Sequence, residues 1–237
     1  MYHRRTLEPL DTRAALLKGA RDISPILLGV IPFGLIAGAA AVTIGLTAIH
    51  AIGLSMIVFA GAAQLATIEL LGNNSPALVV VATALIINAR HIMYSASLGP
   101  HFRDLSVPRK VLGSYLLTDQ AYAISISRFV DVEEPLSKRF AYYLGAGSTM
   151  WITWQLSTAA GALLGAAVPE AWSLDFAVPL VFLALLVPAV RDRADLVAAL
   201  AAAGLAIAAV DLPFNLGLLV AAVGGIAAGV LVERRSR

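Results

Sequence analysis

Two short polar groups interrupt long apolar stretches of this sequence. The first group contains Asn88, Arg90, His91 and Tyr94 in one run, and the second centres on Asp119. On a helix, residues three or four positions apart share a face, so the first group would form one polar stripe. A charge at the centre of a membrane helix costs about 2.5–3.5 kcal/mol, so such groups are kept when they are paired or used. The spacing predicts a polar cluster that lines a cavity. The alternative is an arginine that reaches the lipid headgroups and a histidine that bonds to a neighbouring carbonyl.

The carboxylate of Asp119 needs a compensating charge, because it is expected about two turns into a helix over 112–130. Arg90 is the natural partner, since an unpaired buried carboxylate would take up a proton instead. A carboxylate that alternates between the paired and the protonated state can couple proton movement to substrate movement. The alternative is a static ion pair that serves structure alone.

A third polar group, the amide of Gln64, lies ten residues into a predicted segment over 54–72 and so near the middle of the membrane. It is expected to bind the charged groups of an amino acid or to bridge two helices. Glu69 is expected at the membrane surface, close to the end of the same segment. Three further residues share a helical face and are expected to pack or to anchor the helix: Trp151, Trp154 and Gln155.

The composition requires a membrane for all of these residues. Hydrophobic residues make up 59% of the 237 positions and charged residues 14%, with a mean hydropathy of +0.83. Soluble domains carry about 25% charged residues, so a soluble globular or disordered chain is excluded. The sequence predicts a cytoplasmic N-terminal segment over 1–22, a single helical membrane domain over 23–232 and a basic C-terminal tail over 233–237.

The predicted fold is an all-α, polytopic membrane protein with six to eight segments, some of them broken or re-entrant. About 20 residues are needed to cross the bilayer as a helix. The candidate segments are 23–47, 54–72, 77–100, 112–130, 139–168, 173–190, 194–211 and 213–232.

Two kinds of residue mark irregular or tightly packed helices. Pro32, Phe33 and Gly34 in the first segment predict a helix break, and broken helices in transporters expose backbone groups that bind substrate; a packing kink is the alternative. The similar runs 31–35 and 212–216 raise the possibility of a repeat. Glycine pairs at four-residue spacing predict close helix packing: Gly34 with Gly38, Gly161 with Gly165, and Gly225 with Gly229.

The basic residues give a partial orientation. Cations cluster before the first apolar run and at the C-terminus, which predicts cytoplasmic ends and attraction to anionic membrane lipid. Counting eight full spans would place Arg103, Arg109 and Lys110 of the 101–111 loop outside the cell, against the positive-inside rule. One re-entrant segment, for which 54–72 is the candidate, would bring this loop inside.

Several classes of function are excluded by missing features. The chain has no cysteine, so thiolate catalysis and disulfides are absent. The sequence contains neither a zinc-ligand set nor a nucleotide-binding motif, so no metal and no cofactor is predicted. Without a nucleotide site, transport of a solute would have to use the energy of ion or solute gradients. The basic ends lack the aromatics or folded module of a nucleic-acid site. No catalytic constellation points to an enzyme.

Four runs of the sequence resemble the azaleucine-resistance (AzlC-type) branched-chain amino acid permeases. These runs are 59–64 (FAGAAQ), 88–98 (NARHIMYSASL), 117–122 (LTDQAY) and Pro32-Phe33-Gly34. The resemblance implies the large subunit of a two-component secondary exporter in the bacterial inner membrane. Its expected substrates are leucine, isoleucine, valine and sometimes methionine. Its expected partner is a small, separately encoded hydrophobic subunit of the AzlD type.

The resemblance also identifies motif positions that we expect to line the transport pathway or bind substrate: Gln64, Asn88, Arg90, His91, Tyr94 and Asp119. Arg90 would clamp the substrate carboxylate with its planar fork, and Asp119 would bind the ammonium group or a coupling proton. Family members commonly have a glutamate after this aspartate, whereas this chain has Gln120, so coupling and substrate are open to difference. The alternatives are a carrier for another small solute and a non-transporting scaffold for the small subunit.

Overall fold

Long apolar runs without strand-like alternation fold here as helices. The computed structural model describes residues 11–165, 190, 192–213 and 216–236, and within these the regular elements are all helical, which confirms the predicted all-α membrane fold. The helices are α1 (Thr12–Ile23), α2 (Leu27–Thr43), α3 (Ala48–Ile57), α4 (Gly61–Gly72), α5 (Ala77–Asn88), α6 (Arg90–Leu98), α7 (Val107–Tyr115), α8 (Asp119–Asp131), α9 (Leu136–Gly165), α10 (Arg193–Ala208) and α11 (Leu216–Ser236), with 3₁₀ turns at Ser24–Ile26 and Gly99–Phe102.

Three helical stretches of the described residues are long and apolar enough to cross a bilayer. They are Thr12–Thr43, Ala77–Phe102 and Leu216–Arg234. The first combines α1 and α2 through the 3₁₀ turn, so the helix begins well before the predicted start at residue 23. The N-terminal helix α1 has a packing role, because it buries Ala15, Gly19 and Ile23.

The centre of the fold is a tight seam between the α1–α2 stretch and α9. Gly19 lies against Tyr142, Gly38 against Thr158, and Gly161 against the main chain of Leu35, each so closely that a Cβ atom would collide with backbone atoms. The contacts advance along both stretches from Leu16 with Gly145 to Ala39 with Gly165, so the two run parallel. Glycine permits this approach because it has no side chain, which confirms the predicted close packing of the α2 and α9 glycine pairs.

The segment between α2 and α5 is a re-entrant hairpin. A Cβ built on Gly72, the last residue of α4, would lie 2.8 Å from Cγ2 of Ile44, which caps the end of α2. Since α3 begins at Ala48, directly after α2, both ends of the α3–α4 hairpin lie on the same side of the membrane. The predicted re-entrant segment over 54–72 is therefore present, and it begins earlier, at Ala48.

A second re-entrant hairpin enters from the opposite side. The α5–α6 stretch returns the chain to the side where α1 begins, because Phe102 packs against Phe140 and Tyr143 near the start of α9. Helix α7 then runs inward, and α8 runs back until Phe129 meets Tyr142. The prediction of one regular segment over 112–130 is wrong, because the helix is interrupted after Tyr115 and resumes at Asp119.

These two hairpins resolve the orientation of the 101–111 loop. With α3–α4 re-entrant, the loop lies on the side where α1 begins, together with Arg13, Lys18 and Arg21. By contrast, the connections 44–47 and 73–76 on the other side carry neither lysine nor arginine. By the positive-inside rule, we expect the side of α1 and of this loop to face the cytoplasm. We call it the N-terminal side below.

The last part of the chain forms a helical pair. Helices α10 and α11 pack through Gly225 and Gly229, which lie against Ala198 and Ala202, so the third glycine pair also has the predicted packing role. Helix α9 is one continuous helix from Leu136 to Gly165. The segment over 173–189 and positions 214–215 of the suspected repeat lie outside the described residues.

Candidate functional site

The tips of the two hairpins meet inside the membrane region. Helix α3 ends at Ile57, and extended backbone at Ala60 precedes α4, while extended Thr118 precedes α8. The Tyr115 hydroxyl donates a 2.9 Å hydrogen bond to the carbonyl oxygen of Met56, and the rings of Phe59 and Tyr115 lie 6.1 Å apart. The interrupted helices therefore bring non-helical backbone from both sides to one place.

A cavity of about 540 Å³ lies beside these tips. This volume falls in the range of small-molecule sites, about 300–1,000 Å³. Its wall is mainly apolar, with Arg90, His91 and Asp119 as the ionisable residues that line it. The lining residues are Ile26, Gly29, Val30, Phe33, Phe59, Ala60, Gly61, Ala62, Arg90, His91, Thr118, Asp119, Gln120, Met150 and Trp154.

The first residues of three helices line this cavity: Gly61 of α4, Arg90 of α6 and Asp119 of α8. Helix N-termini carry partial positive charge and free amide groups, which favour an anion. No side chain caps the start of α4, whereas the hydroxyl oxygen of Thr118 accepts a bond from the amide of Ala121 at the start of α8. The uncapped α4 end and Arg90 together make this region suited to a carboxylate.

The structure brings Arg90 and Asp119 together at the cavity. Nη1 of the arginine lies 3.8 Å from Oδ2 of the aspartate, and their side chains are 35% and 43% exposed. The predicted depth of Asp119, two turns into its helix, is wrong, because Thr118 interrupts the helix and Asp119 is its first residue. A threonine followed by an acidic residue is a helix-start signal that is readable in the sequence.

The Arg90–Asp119 pair has spare capacity for a ligand. Its distance is long for a charge-assisted hydrogen bond, which is about 2.7–2.9 Å. Nε of Arg90 is buried and has no hydrogen-bond partner in the described part of the chain. Both groups are therefore loosely engaged with each other and able to take a third partner.

Two other polar residues of the 88–94 run, Asn88 and Tyr94, contact His91 in different ways. Nδ1 of His91 lies 3.1 Å from the carbonyl oxygen of Asn88 and donates to it, which leaves Nε2 of the neutral ring as an acceptor. Tyr94 contacts the His91 ring edge-to-face at 5.7 Å and stacks on Tyr122 at 4.5 Å. His91 lines the cavity, whereas Asn88 and Tyr94 lie behind it and fix its position.

Gln64 is fully buried and lies behind the wall rather than in it. Its Oε1 accepts a 3.1 Å hydrogen bond from Nε1 of Trp154, whose indole lines the cavity. Gln155 has a similar supporting contact, since its amide donates to the carbonyl oxygen of Ser55. Sequence reasoning assigned Trp154 to packing or to anchoring the helix. Its role at the site had one signal in the sequence, because a buried tryptophan needs a hydrogen-bond partner for its N–H group and is therefore held in a fixed position.

The helix break predicted at Pro32, Phe33 and Gly34 is wrong, because α2 runs unbroken from Leu27 to Thr43. Proline removes one backbone hydrogen bond, and the seam holds the helix regular, since a Cβ on Gly34 would lie 2.6 Å from Cβ of Ser157. Phe33 nevertheless lines the cavity and contacts Trp154 edge-to-face at 5.3 Å. The breaks lie instead at 58–60, at Ala89 and at 116–118.

The arrangement offers one cation, one anion and an apolar wall within a single cavity. Such a set matches a small zwitterion with a hydrophobic side chain, because each charged group meets its opposite and the remainder is desolvated. Among the described residues, the acidic and histidine side chains form no cluster with the spacing of a metal site.

Comparison with known proteins agrees with this membrane architecture. The family model described as "AzlC protein" matches residues 25–168, which include both hairpins and every residue that lines the cavity. "Inner membrane protein YgaZ" of Escherichia coli (strain K12) is 25% identical over 232 residues, covering 95% of this chain and 92% of that protein. No solved structure shows a significant match.

Two further relatives carry the name "Uncharacterized membrane protein". The one from Archaeoglobus fulgidus is 29% identical over 191 residues, with 79% of this chain and 81% of the relative covered. The one from Helicobacter pylori is 28% identical over 164 residues, with 67% and 68% covered. Together with the family match, these relatives support a membrane location and a role related to membrane transport. Because the family model covers more than half of the chain, this protein belongs to the AzlC family.

Proposed function

We propose that this protein is the large subunit of a secondary exporter of branched-chain amino acids in the bacterial inner membrane. The observation that carries the proposal is the pair of opposite charges, Arg90 and Asp119, which lie 3.8 Å apart at a largely apolar cavity. Leucine, isoleucine and valine each combine a carboxylate, an ammonium group and a branched apolar side chain. The cavity supplies a complementary group for each.

The carboxylate of the substrate binds at Arg90. A guanidinium pairs with a carboxylate through two parallel hydrogen bonds, and the uncapped start of α4 at Gly61 adds main-chain donors to the same region. The ammonium group binds at Asp119. The branched side chain packs on the apolar wall formed by Val30, Phe33 and the other hydrophobic lining residues.

Coupling follows from competition for the same charges. When a substrate carboxylate engages Arg90, Asp119 loses part of its compensating charge and gains affinity for an ammonium group or a proton. When the substrate leaves, the arginine returns to the aspartate. Because Gln120 replaces the second carboxylate common in the family, Asp119 is the acidic residue that carries this exchange at the cavity.

The family match supports a transport role, and the small AzlD-type subunit belongs to the proposal as the partner of this chain. The test is efflux of labelled leucine and valine from preloaded cells, measured with and without that subunit. Asp119→Asn is the key variant because it removes the charge with little change in shape. Asp131→Asn is its matched control, since Asp131 ends the same helix, is exposed and does not line the cavity.

We expect efflux only when both subunits are present, loss of efflux in Asp119→Asn at normal membrane levels, and wild-type efflux in Asp131→Asn. Absence of branched-chain efflux from a well-expressed pair would overturn the substrate assignment. Efflux of another solute in the same cells would then identify a different carrier. Normal assembly with the small subunit without any flux would identify a scaffold.

A further inference from the structure

A second cavity lies on the N-terminal side, away from the first. Its volume is about 380 Å³, and it lies between the end of α6, the following 3₁₀ turn, helix α7 and the start of α9. Its residues come from the loop that connects the α5–α6 stretch to the second hairpin. The lining residues are Ser95, Leu98, Gly99, Phe102, Arg103, Leu105, Arg109, Lys110, Gly113, Ser114, Leu117, Phe140 and Tyr143.

Three cations line this cavity without carboxylate partners. Arg103, Arg109 and Lys110 are exposed, and none of them forms an ion pair with the described residues. The acidic residue closest in sequence, Asp104, is exposed and does not line the cavity. Three like charges close together repel one another, so an anionic ligand would relieve this repulsion.

The remaining wall is apolar and aromatic. Phe102 packs edge-to-face on Phe140 and on Tyr143, and buried Leu98 and Leu105 complete the wall. The helices α6 and α7, which both contribute to the cavity, also carry exposed large apolar side chains: Ile92, Met93, Val107, Val111 and Leu112. The site therefore joins a cationic rim to a lipid-facing apolar surface.

We propose that this cavity binds an anionic phospholipid from the cytoplasmic leaflet. The phosphate lies among Arg103, Arg109 and Lys110, and one acyl chain runs along the wall formed by Phe102 and Leu105. A soluble anion would satisfy the cations and leave the apolar wall unused, whereas a phospholipid satisfies both. Basic residues at the cytoplasmic surface each strengthen the binding of anionic lipid about fivefold, and these three converge on one cavity.

Lipid in this cavity would hold the base of the second hairpin. Gly113 of α7 lines the cavity, and its carbonyl oxygen accepts a 2.6 Å hydrogen bond from Tyr143 on α9. A ligand packed against this contact ties α7 to α9 at the membrane surface. The expected signature is therefore a higher unfolding temperature when the lipid is bound.

The test uses the full-length protein purified in a neutral detergent, with thermal unfolding followed during lipid titration. The probes are phosphatidylglycerol, phosphatidylcholine and inorganic phosphate. The triple variant Arg103→Gln/Arg109→Gln/Lys110→Gln removes the cationic rim. Its matched control, Arg13→Gln/Arg21→Gln/Lys138→Gln, removes three cations from the same side that do not line the cavity.

We expect phosphatidylglycerol to raise the unfolding temperature of the wild type and of the control triple variant. We expect about 100-fold weaker half-saturation in the rim variant, as the loss of three contributions of about fivefold implies. Phosphatidylcholine and phosphate should have little effect. Equal stabilisation of the rim variant would overturn the site, and equal stabilisation by inorganic phosphate would overturn the lipid in favour of a soluble anion.

A second variant keeps the proposal testable if the rim variant does not fold. Ser95→Trp places an indole in the cavity from an exposed position on α6 and leaves all three cations in place. Its stabilisation by phosphatidylglycerol should be reduced, because the acyl chain loses its space. Undiminished stabilisation would show that the lipid binds elsewhere.

Discussion

The hydroxyl oxygen of Tyr115 lies 2.9 Å from the main-chain carbonyl oxygen of Met56, so the last residue of α7 is bonded to the end of α3. The same hydroxyl accepts a 2.9 Å hydrogen bond from Nε1 of Trp151 on α9. A single phenol group thereby connects two hairpins that enter from opposite sides, and it fixes both to the central helix. A motion that separates the two hairpin tips must break the bond between Tyr115 and Met56.

Replacing Tyr115 by phenylalanine should loosen the contact between the hairpin tips. Hydrogen bonds between membrane helices average about 0.6 kcal/mol and reach about 1.7 kcal/mol, so losing two should cost about 1–2 kcal/mol. Because the chain has no cysteine, a single thiol at Ala62, which lines the cavity, reports access. We expect a water-soluble maleimide to label Ala62→Cys faster in the Tyr115→Phe background.

Tyr122→Phe is the matched control for this experiment. It also removes one phenol hydroxyl, whose 3.1 Å bond goes to Ser97 between α8 and α6 and does not join the hairpin tips. Labelling of Ala62→Cys should stay at the wild-type rate in this background. Equal acceleration in both backgrounds would mean that the tip contact does not control access.

Replacing Arg90 by lysine should weaken recognition of a carboxylate while retaining the positive charge. Lysine cannot form the two parallel hydrogen bonds of a guanidinium, so we expect about tenfold weaker apparent affinity for leucine. Leucinamide lacks the carboxylate, so it should compete more weakly than leucine for the wild-type protein. Its apparent affinity should be unchanged by Arg90→Lys. Competition against labelled leucine in inverted membrane vesicles measures both values.

Arg21→Lys is the control for this substitution, since Arg21 is exposed on α1 and does not line the cavity. It should leave both competitors unaffected. If Arg90→Lys lowered the apparent affinity for leucine and for leucinamide by the same factor, the arginine would not be the carboxylate site. The substrate would then bind in another orientation.

Adding a methyl group at Gly61 should narrow the cavity. A Cβ at this position would lie 2.6 Å from Cε1 of Phe33 and 2.9 Å from Cη2 of Trp154, so both rings must move. Overpacking of this kind costs about 1–3 kcal/mol. Transport of leucine and isoleucine by Gly61→Ala should fall more than transport of the smaller valine, as measured by parallel efflux assays.

Gly53→Ala provides the comparison on the same hairpin, because a Cβ there meets no atom within 4 Å. Its transport of all three amino acids should match the wild type. A uniform loss for all three substrates in Gly61→Ala would point to a folding defect and contradict a role of this contact in cavity size.

Removing the carboxylate of Glu134 should strongly destabilise the fold. Arg128 binds it through two hydrogen bonds, of 2.6 Å from Nη2 and 3.2 Å from Nε, and the side chains are 8% and 4% exposed. Glu134→Gln leaves the buried arginine without its counter-charge, which costs about 3–5 kcal/mol. The measurement is the free energy of unfolding in mixed detergent micelles.

The half-exposed pair Lys18–Asp22, at 3.1 Å, sets the scale for this prediction, because its side chains are 39% and 31% exposed. Lys18→Gln should cost about 0–1 kcal/mol, because solvent screens a surface pair. Losses of similar size in both variants would mean that burial does not determine the strength of the Arg128–Glu134 pair.

The polar residues of the site were predictable from the sequence because the free-energy cost of a charge in the membrane depends on the apolar residues next to it in the chain. An arginine and an aspartate inside apolar runs need one another whatever the fold, and the Arg90–Asp119 proximity follows from that requirement. The hairpin tips were harder to predict. Val58, Phe59 and Ala60 are as apolar as the helices around them, and only contacts with a distant hairpin favour extended backbone there.

Supporting residues were the least predictable part of the site. The composition around Gln64 indicates an amide in an apolar helix, but its partner Trp154 lies 90 positions away. Pro32 shows the opposite error: a strong local signal for a break was overridden by the glycine packing of the seam. Local rules thus identified which residues needed partners, and tertiary packing decided where each helix ends.

The parallel seam between the α1–α2 stretch and α9 also governs how the protein is made. Tyr142 donates a hydrogen bond to Asp22 across 120 positions of the chain, so both hairpins leave the ribosome before the helix that supports them. Until α9 arrives, the extended tips lack the part of the protein surface that α9 provides, and each unsatisfied peptide group in lipid costs several kcal/mol. Helix α9 therefore completes assembly of the first 165 residues. A chain that ends before α9 would contain every cavity residue that the hairpins contribute, but these residues would not form a folded site.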